Sequence, residues 1–332
     1  MDGTKYSIRG FKKGWYWASG DLSVKYWIPQ GLAGASKNDV GMIFVGWHYE
    51  ESNKASDSNP AADESDKDKG TRLSIIDKTD TANVKYRHVL LVEPTNDSRG
   101  FKPIKNHAGG LAVSWPYLYE ADTNRGLRVF DLRQFYAVST ADACNKYAGK
   151  HDNSYCAYGY AYILPQVGGY YYDTSTTHSS CRPKFSYVAL DRSTGANTLL
   201  SGEYDNDTTY GIYSRLVRWE IDANAKLKTD ANGVAVASEA WYAGNRNIQG
   251  ASTYKASNGK SYFLLNATRY YGSLILGTMN GSKATVYKAP NWGYMPEGMY
   301  ITTSNNMWVA TEGHDKMKRA VYYANVEKIL GL

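Results

Sequence analysis

The chain has 332 residues, 42 % of them apolar, with a net charge of +6 and a pI near 8.9. Lys and Arg are scattered, with no run of about five or six, which argues against a nucleic-acid partner. No stretch of about 18 apolar residues occurs, so no membrane-spanning helix is expected, and the mild positive balance favours an anionic ligand.

Residues 11–17 read as a β-strand with no hairpin partner of its own. A repeat follows, built from a Gly-bearing strand start, a second strand and an amphipathic third. Its first copy opens on Pro29-Gln30-Gly31-Leu32-Ala33 and continues over 42–47 and 73–76, with an outer strand at 87–92. The second opens on His107-Ala108-Gly109-Gly110-Leu111-Ala112 and continues over 117–121, 127–130 and 160–164. The third covers 185–190, 198–204, 216–221 and 235–241. The fourth opens on Ile248-Gln249-Gly250-Ala251 and continues over 262–267, 274–276 and 284–287. The fifth opens on Pro296-Glu297-Gly298-Met299, then 307–311 and 320–324, with only a short helical stretch at 326–330 behind it.

These copies predict an all-β fold, a single closed β-propeller spanning 1–332. Strand 11–17 completes the last blade, so that no sheet edge stays bare. Five blades are counted; seven, the alternative, would need strands that cannot be placed. Two insertions interrupt the repeat: a polar segment at 51–70, expected to be mobile, and a Cys-bearing loop at 136–155. Gly31, Gly110, Gly250 and Gly298 are expected where backbones crowd near the axis. Thirty Tyr and nine Trp against seven Phe suit half-buried strands and sugar-facing surfaces alike.

Cys144, Cys156 and Cys181 form no CxxC pair, so neither a zinc site nor any cofactor is expected. One disulfide plus one free thiol fits an oxidising compartment, with Cys156–Cys181 and Cys144–Cys156 both open. Sequons at Asn96, Asn206, Asn266 and Asn280 agree with a secreted glycoprotein. The opening Met1-Asp2-Gly3-Thr4 reads as the start of a mature chain behind an expression Met.

In a propeller the start of each first strand and the end of each second strand meet on one face. The starts carry Gln30, His107, Gln249 and Glu297, with Arg182 and Lys184 before the third copy. The ends carry His48, Glu120 with Asp122, Glu203, Arg269, and Glu312 with His314. A polar, multi-charge mouth of this kind is the expected site.

Two chemistries fit. Glycoside hydrolysis would draw a carboxyl pair from Glu203, Glu297 and Glu312. Elimination at a uronate needs a base and a cation, which His107, His48 and Arg269 supply. Gln30, Asp122, Arg182, Glu203, Gln249, Glu297 and Glu312 would bind substrate. A non-catalytic sugar-binding propeller would repeat its site in every blade, and the mouth residues differ from blade to blade. No GxSxG occurs.

The second copy, through Tyr119-Glu120-Ala121-Asp122 to Gly126-Leu127-Arg128-Val129-Phe130-Asp131, resembles secreted β-propeller polysaccharide lyases of the fungal L-rhamnose-α-1,4-D-glucuronate lyase kind. Leu164-Pro165-Gln166-Val167-Gly168, Val188-Ala189-Leu190-Asp191 and Ser201-Gly202-Glu203-Tyr204 add to the likeness. The resemblance implies a lyase acting on an acidic plant polysaccharide of the gum arabic type. It also implies a His acid/base in a deep central pocket, a role that falls to His107. A monomer is expected.

Overall fold

The structure is a computed structural model describing residues 8–35, 41–50, 68–173, 182–194, 198–205, 214–244, 247–268, 272–278, 284–285, 292–313 and 319–332. It is an all-β ring. The first sheet runs Trp27–Gly34, Met42–Tyr49, Thr71–Asp77 and Lys85–Pro94, each antiparallel to the next. The second runs Leu111–Ser114, Tyr117–Asp122, Gly126–Asp131 and the distal half of Tyr162–Tyr171. The third is Phe185–Asp191, Thr198–Glu203, Arg215–Glu220 and Glu239–Tyr242. The fourth is Ile248–Lys255, Ser261–Ala267, Ser273–Thr278 and Ala284–Thr285. The last is Pro296–Ile301, Asn306–Thr311 and Ala320–Asn325. Its fourth strand is Phe11–Tyr16, antiparallel to Ala320–Asn325, as the sequence predicts.

The leading strands contact one another in a closed circuit, Trp27–Gly34 touching both Leu111–Ser114 and Pro296–Ile301, which is the arrangement of a β-propeller. Burial follows from position. Trp27–Gly34 and Pro296–Ile301 are buried along their whole length because sheets cover both faces, whereas outer strand Glu239–Tyr242 is largely exposed. Cores fill the spaces between sheets. Trp17, Trp27, Trp47, Tyr300 and Trp308 pack between the first and last.

The axial glycines sit where the sequence places them, and the reason is contact distance. A Cβ on Gly31 would lie 2.7 Å from the Gly110 carbonyl carbon, and one on Gly110 would lie 2.1 Å from the Val188 nitrogen. On Gly250 it would meet the Glu297 oxygen at 2.3 Å, and on Gly298 the Leu32 nitrogen at 2.1 Å. The opposing atoms are backbone and cannot rotate away. Gly298→Ala should therefore destabilise the fold by about 3 kcal/mol, the upper end of overpacking costs. An unfolding midpoint in denaturant equal to that of the parent would show that the inner strands are slack.

Several expectations need correction. The outer strand of the second sheet is Gln166–Tyr171, not 160–164: Ile163–Pro165 pair parallel with Leu90–Val92 of the first sheet, and a bulge at Gln166/Gly168 passes the strand to the second. The outer strand of the third is Glu239–Tyr242 rather than 235–241. Segment 136–155 is not a plain loop. It holds a 3₁₀ turn at Asp142–Lys146 and a hairpin of Ala148–His151 with Ser154–Ala157, tied by a Cys144–Cys156 disulfide. Of the two pairings left open, this is the one formed, and Cys181 lies outside the described residues. Nearly all of 51–70 lies outside them too. The Asn266 sequon is structural: its side chain is fully buried, donates to the Glu297 carbonyl at 2.7 Å and accepts from Trp292 Nε1 at 2.7 Å, leaving no room for a glycan.

Candidate active site at the channel mouth

Four successive leading strands deliver side chains to one cavity of about 430 Å³, lined by Gln30, His107, Thr123, Lys184, Tyr204 and Gln249. The backbone entering these strands is strained. Ala108 and Asn247, before the second and fourth, have φ of 47° and 58°, and Met295, before the last leading strand, has 50°; neither Ala nor Met has a side chain that favours such angles. Gly31 N donates to the Ala108 carbonyl at 3.1 Å, fixing the His107 turn to the neighbouring sheet.

His107 is exposed at the mouth and His48 lies beneath it, the rings edge to face with centroids 4.7 Å apart. His48 is 6 % exposed and its Nδ1 has no hydrogen-bond partner. Burial, then the neighbouring His107, lowers its pKa to about 4, against weaker pulls upward from Glu50 and the His107 backbone. At neutral pH His48 is an uncharged platform for His107.

Behind this pair Asn106 accepts from Thr71 Oγ1 at 2.9 Å and donates to Glu120 Oε2 at 3.2 Å. Glu120 is fully buried, with Oε1 unpartnered. Burial raises its pKa to about 7, opposed by Arg128 and Asn106 and assisted by Asp122. The unfolded carboxyl titrates near 4.5, so the folded protein holds the proton longer. Stability from this group is complete below pH 4.5 and is lost as pH rises through about 7. Glu120→Gln should flatten that fall, worth about 3 kcal/mol, in denaturant midpoints measured across the window. His48 opposes it, losing stability as pH falls from 6.5 to about 4, so the wild-type profile is the difference of the two. An unchanged slope in the Gln variant would remove Glu120 as its source.

The other predicted residues divide. Gln30 and Gln249 line the cavity beside His107. Glu203 does not line it: it takes Arg215 Nε and Nη2, both at 2.6 Å, and accepts the Lys184 backbone N–H at 2.8 Å. It is a positioning residue for Lys184, and the Arg182 carbonyl joins the same knot, accepting from Arg215 at 3.3 Å. Asp122 is turned away, ion-paired with Arg128 at 2.8 Å on a different cavity. Glu297 is fully buried with both carboxyl oxygens lacking a well-formed hydrogen bond, though Glu312, Thr268 and Gln249 lie within reach. Burial, then the Glu312 charge, pushes its pKa well above the usual carboxylate range. Glu312 is half-buried, its backbone N–H bonded to the Met295 carbonyl at 2.9 Å. Arg269 and His314 lie outside the described residues. Among the described residues no group of three or more His, Cys, Asp or Glu is placed to hold a metal ion, and no helix is long and apolar enough to cross a membrane.

Sequence reasoning passed over Asn106, Thr123 and Tyr204 as site residues and named Lys184 only as a neighbour. Asn106 and Tyr204 were readable, since each adjoins a strand position already singled out. Arg215, which locks Glu203, left no signal because it sits in a third strand.

No family model and no curated protein matches this chain. Among solved structures it is similar to an α-L-arabinofuranosidase from Clostridium thermocellum, at 14 % identity and TM-score 0.44 over 86 % of this chain and 81 % of that one. It is also similar to a glucose dehydrogenase, at 13 % identity and TM-score 0.38 over 95 % and 97 %. A Hadza microbial sialidase gives 10 % identity and TM-score 0.39 over 95 % and 69 %.

Proposed function

We propose that the chain is a five-bladed, extracellular propeller enzyme that cleaves the rhamnose-α-1,4-glucuronate linkage of an acidic plant polysaccharide by β-elimination. The observation that carries the chemistry is the exposed His107 imidazole on its neutral His48 platform, in a cavity that also holds Lys184 and Tyr204. The linkage itself comes from the family resemblance, and the compartment reading from the Cys144–Cys156 disulfide.

In this reading His107 takes the C5 proton of the glucuronate. The electron pair left on C5 forms the C4–C5 double bond, and the C4–O4 bond breaks. O4 leaves with the rhamnose and takes a proton from His107 or Tyr204. Charge develops on the uronate carboxylate as C5 is deprotonated, so a cation must face it. Lys184 is the described cation on the cavity, and Arg269 remains proposed for the same task. Gln30 and Gln249 hold sugar hydroxyls.

A second reading has one observation of its own: Glu297, its carboxyl pushed well above the usual carboxylate range by burial and by Glu312, has with Glu312 the makings of an acid and base pair for hydrolysis. Incubation with gum-type and other acidic polysaccharides separates the readings. Elimination yields released rhamnose together with the ultraviolet absorbance of an unsaturated uronate. Released sugar without that absorbance indicates hydrolysis, and neither signal indicates a binding protein.

A further inference from the structure

A second cavity, of about 630 Å³, lies beside the mouth, between the first two sheets and the disulfide-bonded hairpin: Thr123 lines the mouth, and its neighbours Asp122 and Asn124 line this one. Its walls carry Arg99, Lys102, Lys105, Arg125, Arg128 and Lys146, and only two carboxylates, Glu93 and Asp122. Three of the cations converge on Glu93: Lys102 at 3.3 Å, Arg128 at 3.0 Å and Arg125 at 3.7 Å. Arg128 is buried, and Asp122 and Gln166 hold it as well. Lys102, Arg125, Lys105 and Arg99 are each about half-exposed, with side-chain exposures of 45 %, 48 %, 53 % and 57 %. Exposed ion pairs contribute about 0–1 kcal/mol, so stability gives no reason to crowd so much positive charge into one hollow. Arg99 is paired with Asp97 at 2.6 Å and Lys105 with Asp68 at 3.7 Å, so six cations stand against four carboxylates and the hollow keeps a positive excess; a concave wall with a net charge raises the local concentration of oppositely charged ligands.

The fourth wall is held in place. Lys146, Tyr147 and Ala148 come from the segment closed by Cys144–Cys156, and Tyr158 follows directly on it. That segment docks through Lys150 N to the Arg99 carbonyl at 2.8 Å, and a Cβ on Gly149 would lie only 2.7 Å from the Phe101 oxygen. Tyr147 stacks on His151 with centroids 3.5 Å apart and remains 42 % exposed, a ring that can face a sugar.

We propose that this cavity is a second binding site, for the carboxylate-bearing sugars of an anionic polysaccharide, holding the polymer beside the mouth. The choice of a glycan among anions rests on the function proposed above; the excess of positive charge does not. Avidity follows, because a chain held at one site raises its own concentration at the other.

A galacturonic acid trisaccharide, titrated calorimetrically into the whole protein at low salt, tests it. Two sites are expected, both lost to the methyl-esterified trisaccharide. The double variant Lys102→Gln/Lys146→Gln should lose one site, with affinity there falling about tenfold or more, and keep the mouth site. Lys184→Ala should do the reverse. Reducing the disulfide should weaken the site that the Lys102/Lys146 variant removes. A double variant that binds as the wild type does would overturn the site, as would esterified ligand binding equally well. An acidic peptide of equal charge that binds there as tightly would overturn the glycan assignment. Absence of turnover with the second site intact would count against the lyase reading alone.

Discussion

Replacing His107 with phenylalanine should lower elimination on a glucuronate-bearing glycan by roughly 10²–10⁴-fold, the usual worth of general acid–base assistance. Folding should survive, because His107 is exposed and a phenyl ring can keep the edge-to-face contact with His48. Binding should survive too, since Gln30, Lys184 and Gln249 are untouched. The loss should therefore fall on kcat with KM near its parental value. Near-normal turnover would make His107 structural and pass the base to His48, which is 6 % exposed and would have to reach substrate from beneath. Steady-state kinetics with circular dichroism as a folding control decide between these outcomes.

Deleting residues 1–18 should abolish cooperative unfolding and drive the chain into aggregates. The deletion removes Phe11–Tyr16, the partner of Ala320–Asn325, and so bares a sheet edge. It also removes Trp15, whose ring lies 5.4 Å from Trp308, and Trp17, 3 % exposed and 4.7 Å from Trp47. Truncating a buried Trp costs about 3–5 kcal/mol, against a total stability of about 5–15 kcal/mol for most domains. Size-exclusion chromatography and calorimetry of the truncated chain provide the check. A melt like that of the full chain would mean that the last sheet stands on three strands. Trp17→Ala alone should lower the midpoint while keeping a single transition, which separates lost packing from lost closure.

Much of the architecture was legible in the sequence because its signals are local. Gly31, Gly110, Gly250 and Gly298 mark the axis since only a missing Cβ lets inner strands approach, and the unpartnered strand at 11–17 announced its own role. The strand at 162–171 was misplaced because its pairing with two sheets depends on contacts that no local pattern encodes. At the site, residue types were readable and their partners were not. Asp122 and Glu203 look like ligands in the sequence, yet Arg128 and Arg215 engage them from third strands. The Asn266 sequon failed for a related reason: burial is a property of the whole ring, and three residues cannot report it.

The strand that serves two sheets makes the ring mechanically unequal. Through Tyr162–Tyr171 the first and second sheets share one continuous hydrogen-bonded span, while elsewhere among the described residues neighbouring sheets share no strand. Breaking backbone hydrogen bonds is slower and rarer than sliding packed side chains, so slow breathing concentrates at the other seams. Gln30, His48 and His107 ride on the fused half, whereas Lys184 and Gln249 ride on sheets across a seam. The histidine pair thus lies within the fused half and Lys184 across a seam from it, so relative motion of the sheets would change the His107–Lys184 gap before it disturbed the pair.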